Sequence, residues 1–108
     1  MGYVAEEQDA FRAIADPGRR RMLDAMLGEE RSVGELVDIV GLAQPTVSQH
    51  LKVLRLAGLV DERRDGRQRI YTARAAELQT VADWVAKYEA FWTERLGRLG
   101  ALLDRKGQ

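Results

Sequence analysis

The sequence contains no cysteine and one histidine, His50. The first absence excludes disulfides, thiolate metal sites and thiol-based redox sensing. The second excludes a multi-histidine metal site within one chain, so neither a metal nor another cofactor is expected. No apolar run reaches the roughly 18 residues of a spanning helix, and the N-terminus lacks the basic-then-apolar pattern of a signal peptide. A cytoplasmic protein without a membrane partner is the consequence. No nucleophile stands beside a base, since Ser48 and His50 lie two residues apart and would not face each other on a helix. There is also no phosphate-binding loop, and an enzyme is not expected.

Net charge is lacking too, with 17 basic residues against 17 acidic ones. A neutral total counts at first against a nucleic-acid partner, which usually demands a basic surplus. The distribution reverses that reading. Residues 1–16 carry −3 and residues 17–43 carry −1, whereas residues 44–74 hold seven cations against three acids, a surplus of +4. Such local concentration is the footprint of a phosphate-binding surface on an otherwise neutral protein. With 108 residues, 45% hydrophobic and 31% charged, the chain fits one globular domain spanning 1–108.

The first stretch, residues 3–15, places Val4, Phe11, Ile14 and Ala15 among acids and glutamine as an amphipathic helix. Asp16 and Pro17 then start a second helix, to Leu27, with Met22, Leu23, Met26 and Leu27 as its buried stripe and Gly28 as its stop. Arg19, Arg20 and Arg21 in its first turn oppose the helix dipole. That cost hints at phosphate contact or ion pairing, a solvated surface being the simpler reading. Ser32-Val33-Gly34-Glu35 has the form of a capping box, so a third helix begins there, and Gly41 ends it.

After a short break, Pro45 opens and Gly58 closes a further helix. Its Val47, Leu51 and Leu54 recur at i, i+4 and i+7 and face the core. Thr46, Gln49, Lys52 and Val53 point the other way, with Ser48, His50 and Arg55 on the flanks. Two helices joined by a glycine-containing turn, the second with a polar outer face, form a helix-turn-helix pattern. Glutamine can pair with adenine and a threonine methyl can meet a thymine methyl, so this face suits double-stranded DNA.

Leu59–Arg64 and Arg67–Thr72 follow as two strand-like runs joined by Asp65-Gly66, a strong hairpin signal. Arg63, Arg64, Arg67 and Arg69 crowd its tip, which makes the hairpin a wing suited to phosphates or a narrow minor groove. Residues 75–103 form one long helical pattern in which Leu78, Val85, Trp92 and Leu99 repeat every seven residues, flanked by Tyr88, Phe91 and Leu96. This stripe exceeds what a small core needs, so together with Phe11 of the first helix it is expected to meet a second copy of the chain. The aromatic seam between two copies could also accept an apolar small-molecule effector of unknown identity.

Ala-Asp-Pro-x-Arg-Arg at 15–20, Gln-Pro-Thr-Val-Ser-Gln-His-Leu at 44–51, Leu-x-x-Ala-Gly-Leu-Val at 54–60 and the Arg-Arg-Asp-Gly-Arg wing together resemble the ArsR (arsenic repressor) family of bacterial winged-helix transcription regulators. The resemblance covers nearly the whole chain. It implies a mainly α fold with a β-hairpin wing, in the order α-α-α-α-β-β-α, and a homodimeric repressor on an inverted-repeat operator. The fourth helix would enter the major groove, and residues 3–15 and 75–103 would form the dimer interface. Gln44, Ser48 and Gln49 match positions the family uses near bases and phosphates, with Thr46, His50 and Lys52 beside them. His50 is left with two roles, packing or phosphate contact. The metal-sensing branch carries cysteines in the third helix, where this sequence has Ser32, Gly34 and Val37, so a regulator that does not sense metal is implied. The remaining alternative for the same fold is a protein–protein interaction module.

Overall fold

The computed structural model describes the backbone of residues 5–106 and the side chains of residues 10–97. The element order is α1 (Ala5–Ile14), α2 (Pro17–Met26), β1 (Arg31–Ser32), α3 (Val33–Val40), α4 (Gln44–Leu56), β2 (Val60–Asp65), β3 (Gln68–Ala73), a 3₁₀ turn (Ala75–Leu78) and α5 (Gln79–Lys106). The expected winged helix-turn-helix is present, with a two-residue strand and a 3₁₀ turn added. The side chain of Leu99 and the expected helical residues 3–4 lie outside the described residues.

Local chemistry sets the helix boundaries. The Asp16 carboxylate accepts from the Arg19 amide at 3.1 Å, with Pro17 in the first turn where its missing N–H costs nothing. Ser32 and Glu35 form the reciprocal capping box, at 3.2 Å and 2.9 Å. Gly41, at φ 70°, takes the left-handed conformation that lets α3 stop and the chain turn into α4 within three residues. These caps fix the angle at which α4 leaves the helical pair.

The core joins Met22 and Met26 of α2, Leu36 and Val40 of α3, Val47, Leu51 and Leu54 of α4, and Leu59, Val60 and Tyr71 from the hairpin. Ala13 of α1 is buried among them. Leu27 departs from its expected burial: α2 ends at Met26, the backbone becomes extended at Leu27, and its side chain is exposed. Val53, expected to point outward, packs partly against the core.

The sheet runs β1-β3-β2, all antiparallel. The hairpin turn sits one residue later than the sequence implied. Asp65 pairs with Gln68, so Gly66 and Arg67 form the two-residue loop, with Gly66 at φ 64°. A turn centred on Asp65-Gly66 favours positive φ at both residues, whereas Gly66-Arg67 needs it only at glycine. Among the described residues no non-glycine has positive φ. The shift sets Arg64 opposite Arg69 and Glu62 opposite Tyr71.

The arginines of the α2 first turn are bound to backbone carbonyls rather than merely solvated. Arg19 donates to the carbonyls of Ala13 and Arg12 at 2.6 Å and 3.1 Å, and Arg20 donates to that of Ile14 at 2.7 Å. Arg21 reaches the Val40 carbonyl at 3.4 Å. Each guanidinium thus serves the carbonyl-rich end of a neighbouring helix, where positive charge is favoured.

Three exposed carboxylates are held below their ordinary ionisation range: Asp16 by the Arg19 amide, Glu35 by the Ser32 amide and hydroxyl, and Glu30 by its hydrogen bond with Arg63. Their folded values lie below the unfolded ones, so the unfolded chain binds more protons in that window. Their stabilisation is complete above the usual 3.8 and 4.5 and is lost as pH falls through the lowered folded values. The melting temperature is therefore expected to decline as pH falls below about 4. The decline should be shallower in the Asp16→Asn, Glu35→Gln double variant. Identical acid profiles for the two proteins, followed by circular dichroism, would contradict this assignment.

Candidate nucleic-acid interface

The apolar face of α4 is spent on the core, which leaves Gln44, Thr46, Ser48, Gln49, Lys52 and Arg55 exposed on the other side. The α4 cap residue is Ala43, which has no side-chain acceptor, so the helix begins with amides open to an incoming anion. The expected readers on α4 thus lie together, except for one. His50 turns inward: its side chain is 13% exposed, with Nδ1 3.3 Å from Arg19 Nη1 and Nε2 3.7 Å from Asp16 Oδ1. Gly18 permits this approach, because a Cβ there would sit 3.4 Å from the imidazole and 2.9 Å from the Asp16 carboxylate. Of the two roles left open for His50, packing between α2 and α4 is the one it occupies here.

The register divides the wing arginines. Residues alternate between sheet faces, so Val60, Glu62, Arg64, Arg69 and Tyr71 share the face turned to α4. Arg63 projects from the opposite face and is paired with Glu30, which holds both groups ionised. Among the expected phosphate ligands, Arg63 is therefore already engaged. Arg64, and Arg67 in the turn, are exposed and form no ion pair among the described residues. Between wing and α4 lies an open cavity of about 280 Å³, lined by Ser48, Lys52, Arg55, Glu62, Arg69 and Tyr71 among others.

Arg55 and Glu62 are the members of this surface that sequence reasoning did not single out. Arg55 follows Lys52 by three residues and Ser48 by seven, so helical spacing carried the signal. Glu62 follows buried Val60 by two, which places it on the inner face once the strand is known. Neither spacing reveals that the two meet. They do, with Arg55 Nη1 3.7 Å from Glu62 Oε2 and Arg69 Nε 3.7 Å from Glu62 Oε1.

A second surface runs along α5. Phe11, Trp84, Tyr88 and Trp92 form an aromatic ladder, with successive ring centroids 5.9, 5.3 and 6.5 Å apart. Trp84 and Trp92 are each 49% exposed and Tyr88 45%, and Phe91 and Leu96 are open as well. Leu78 does not belong to this face: it lies in the 3₁₀ turn and packs against its own core. Val85 is half-buried. The Cα radius of gyration is 18.5 Å, against about 13 Å for a compact chain of this length, with extents of 63 × 39 × 21 Å. No helix among the described residues is long and apolar enough to cross a membrane.

Comparison with known proteins agrees with this architecture. The family described as "Bacterial regulatory protein, arsR family" matches residues 16–62. The chain is 35% identical over 107 residues to the HTH-type transcriptional regulator Rv2034 of Mycobacterium tuberculosis, covering 99% of this chain and 97% of that one. It is 29% identical over 80 residues to the transcriptional repressor SdpR of Bacillus subtilis, covering 74% of this chain and 89% of the relative. In fold it resembles the homodimeric winged helix-turn-helix domain of Mb0332 from Mycobacterium bovis, with a TM-score of 0.67 and 24% identity over 83% of this chain and 85% of that one.

Proposed function

Since the chain belongs to the ArsR family of bacterial regulatory proteins, we propose that it acts in the cytoplasm as a dimeric repressor that binds an inverted-repeat operator. It is a DNA-binding transcriptional regulator, of a family whose relatives are named transcriptional repressor and HTH-type transcriptional regulator. In our reading α4 enters the major groove, where Thr46, Ser48 and Gln49 meet base edges and Gln44 and Lys52 meet phosphates. The wing follows the backbone through Arg64, Arg67 and Arg69. The observation that carries this reading is the continuity of surface: the polar face of α4 and the inner face of the wing border one cation-lined cavity.

Two copies joined along α5 and α1 would present two α4 helices, and an inverted repeat answers that two-fold symmetry with half-sites about 34 Å apart. The apolar-effector reading has less support. It rests on a seam between two α5 helices, and where α1 meets α5 the single chain has an open hollow at Phe11 and Trp84 with Asp83 and Lys87 in its wall.

Selection of bound fragments from random-sequence duplex by the purified protein tests the proposal. It should enrich an inverted repeat, with affinity that falls steeply as salt rises. Failure to retain any duplex even at low salt would overturn the reading in favour of a protein–protein module.

A further inference from the structure

Glu62 is an acid placed at the centre of a surface that otherwise gathers positive charge. Its side chain is only 20% exposed, and its two oxygens each lie 3.7 Å from a different arginine, Arg55 on the recognition helix and Arg69 on the wing. Lys52 and Ser48 complete the wall of the same cavity, with Tyr71 beneath. Burial pushes the Tyr71 hydroxyl above its usual ionisation range, and the neighbouring Glu62 charge adds to the shift. The phenol therefore stays neutral, and Glu62 is the acidic side chain of this cavity's lining.

A phosphate approaching this surface must compete with the carboxylate for Arg55 and Arg69. Any duplex can offer a phosphate, whereas only a fitted one brings the contacts of α4 that offset the exchange. We propose that Glu62 is a specificity-determining residue: it withholds Arg55 and Arg69 from non-specific backbone and presents them, oriented between wing and recognition helix, to the operator. The inference rests on the DNA-binding reading and adds a suppressor of non-specific affinity to it.

The test compares wild type with Glu62→Gln, which removes the charge and keeps the shape, by fluorescence anisotropy on random-sequence duplex and on the selected operator. Melting curves of both proteins establish that the variant is folded. One unit charge removed at contact distance in water predicts about fivefold tighter binding to random duplex. One further phosphate contact steepens the dependence of log K on log salt by about 0.9. Operator affinity should change less, so the specificity ratio falls by a similar factor.

A second comparison repeats the substitution in an Arg55→Gln, Arg69→Gln background, where the gain should vanish if Glu62 acts through those arginines. Equal gains on both duplexes, no gain on either, or a gain that persists without the arginines would each overturn the proposal. A wild-type protein without affinity for either duplex would overturn the DNA reading itself, and this inference with it.

Discussion

Replacing Arg64, Arg67 and Arg69 together by alanine is expected to weaken binding to the operator by about two orders of magnitude at 0.15 M salt, and to random duplex by about one. The figure follows from counterion release. A slope of about 0.9 per neutralised phosphate makes each one worth roughly fivefold at that concentration, and three compound. Operator and random duplex should both lose the contacts of Arg64 and Arg67, because phosphates carry no sequence. The operator should also lose that of Arg69, which Glu62 withholds from random backbone. The slope itself should decrease by about 0.9 for each phosphate that no longer meets an arginine. Arg63→Ala serves as the internal contrast, since Arg63 lies on the other sheet face with Glu30 as its partner. It should change affinity by less than about twofold, because an exposed pair of this kind contributes little. Gln49→Ala should instead relax base preference, because its exposed amide sits on the face of α4 assigned to the groove. Salt titrations of the four proteins decide the matter. A triple variant that binds within twofold of wild type would remove the wing from the interface.

That contrast shows where the sequence was legible and where it was not. Helix boundaries are written in contacts of three or four residues' reach, and Asp16, Ser32, Glu35 and Gly41 act at the positions their spacing implied. The buried stripe of α4 was equally readable, since Val47, Leu51 and Leu54 repeat at the helical period. What escaped depends on partners distant in the chain. Glu30 and Arg63 meet across 33 residues, and Arg19 reaches His50 across 31. No local pattern encodes either meeting. The hairpin is an intermediate case: the Asp-Gly signal placed the turn within one residue, but register depends on pairing along both strands. A slip of one exchanges the faces of a strand, so it determines which arginines lie beside α4. β1, with two residues, has no periodicity to read. Leu78 kept the heptad spacing of α5, yet the 3₁₀ turn before α5 redirects it to the core.

Substituting both tryptophans of α5, Trp84→Glu and Trp92→Glu, is expected to convert the protein to a monomer while leaving its core intact. Both rings stand about half exposed on the ladder, and the core is built from α1 to α4 and the hairpin without them. The four aromatic side chains Trp84, Tyr88, Phe91 and Trp92 leave on the order of 400 Å² of apolar surface open on each chain. A patch of that size marks an interaction surface rather than ordinary exterior. Burying it on two copies provides roughly 20 kcal/mol at 25 cal/mol/Å² before the entropy of association and side-chain ordering is subtracted. Two glutamates per chain would replace the two largest apolar side chains of the seam with four like charges, and the lost burial together with their desolvation removes the margin. Sedimentation equilibrium at micromolar protein should then give the monomer mass, with a helical circular dichroism spectrum retained. DNA binding follows from the same change. Two linked α4 helices engage two half-sites at an effective concentration near millimolar, and unlinking them should lower affinity for the inverted repeat by about 10²- to 10⁴-fold. A single half-site should bind wild type and variant equally. A variant that remains dimeric would place the interface between copies elsewhere on the chain, whereas a monomer that keeps full affinity for the repeat would break the link between α5 and operator recognition.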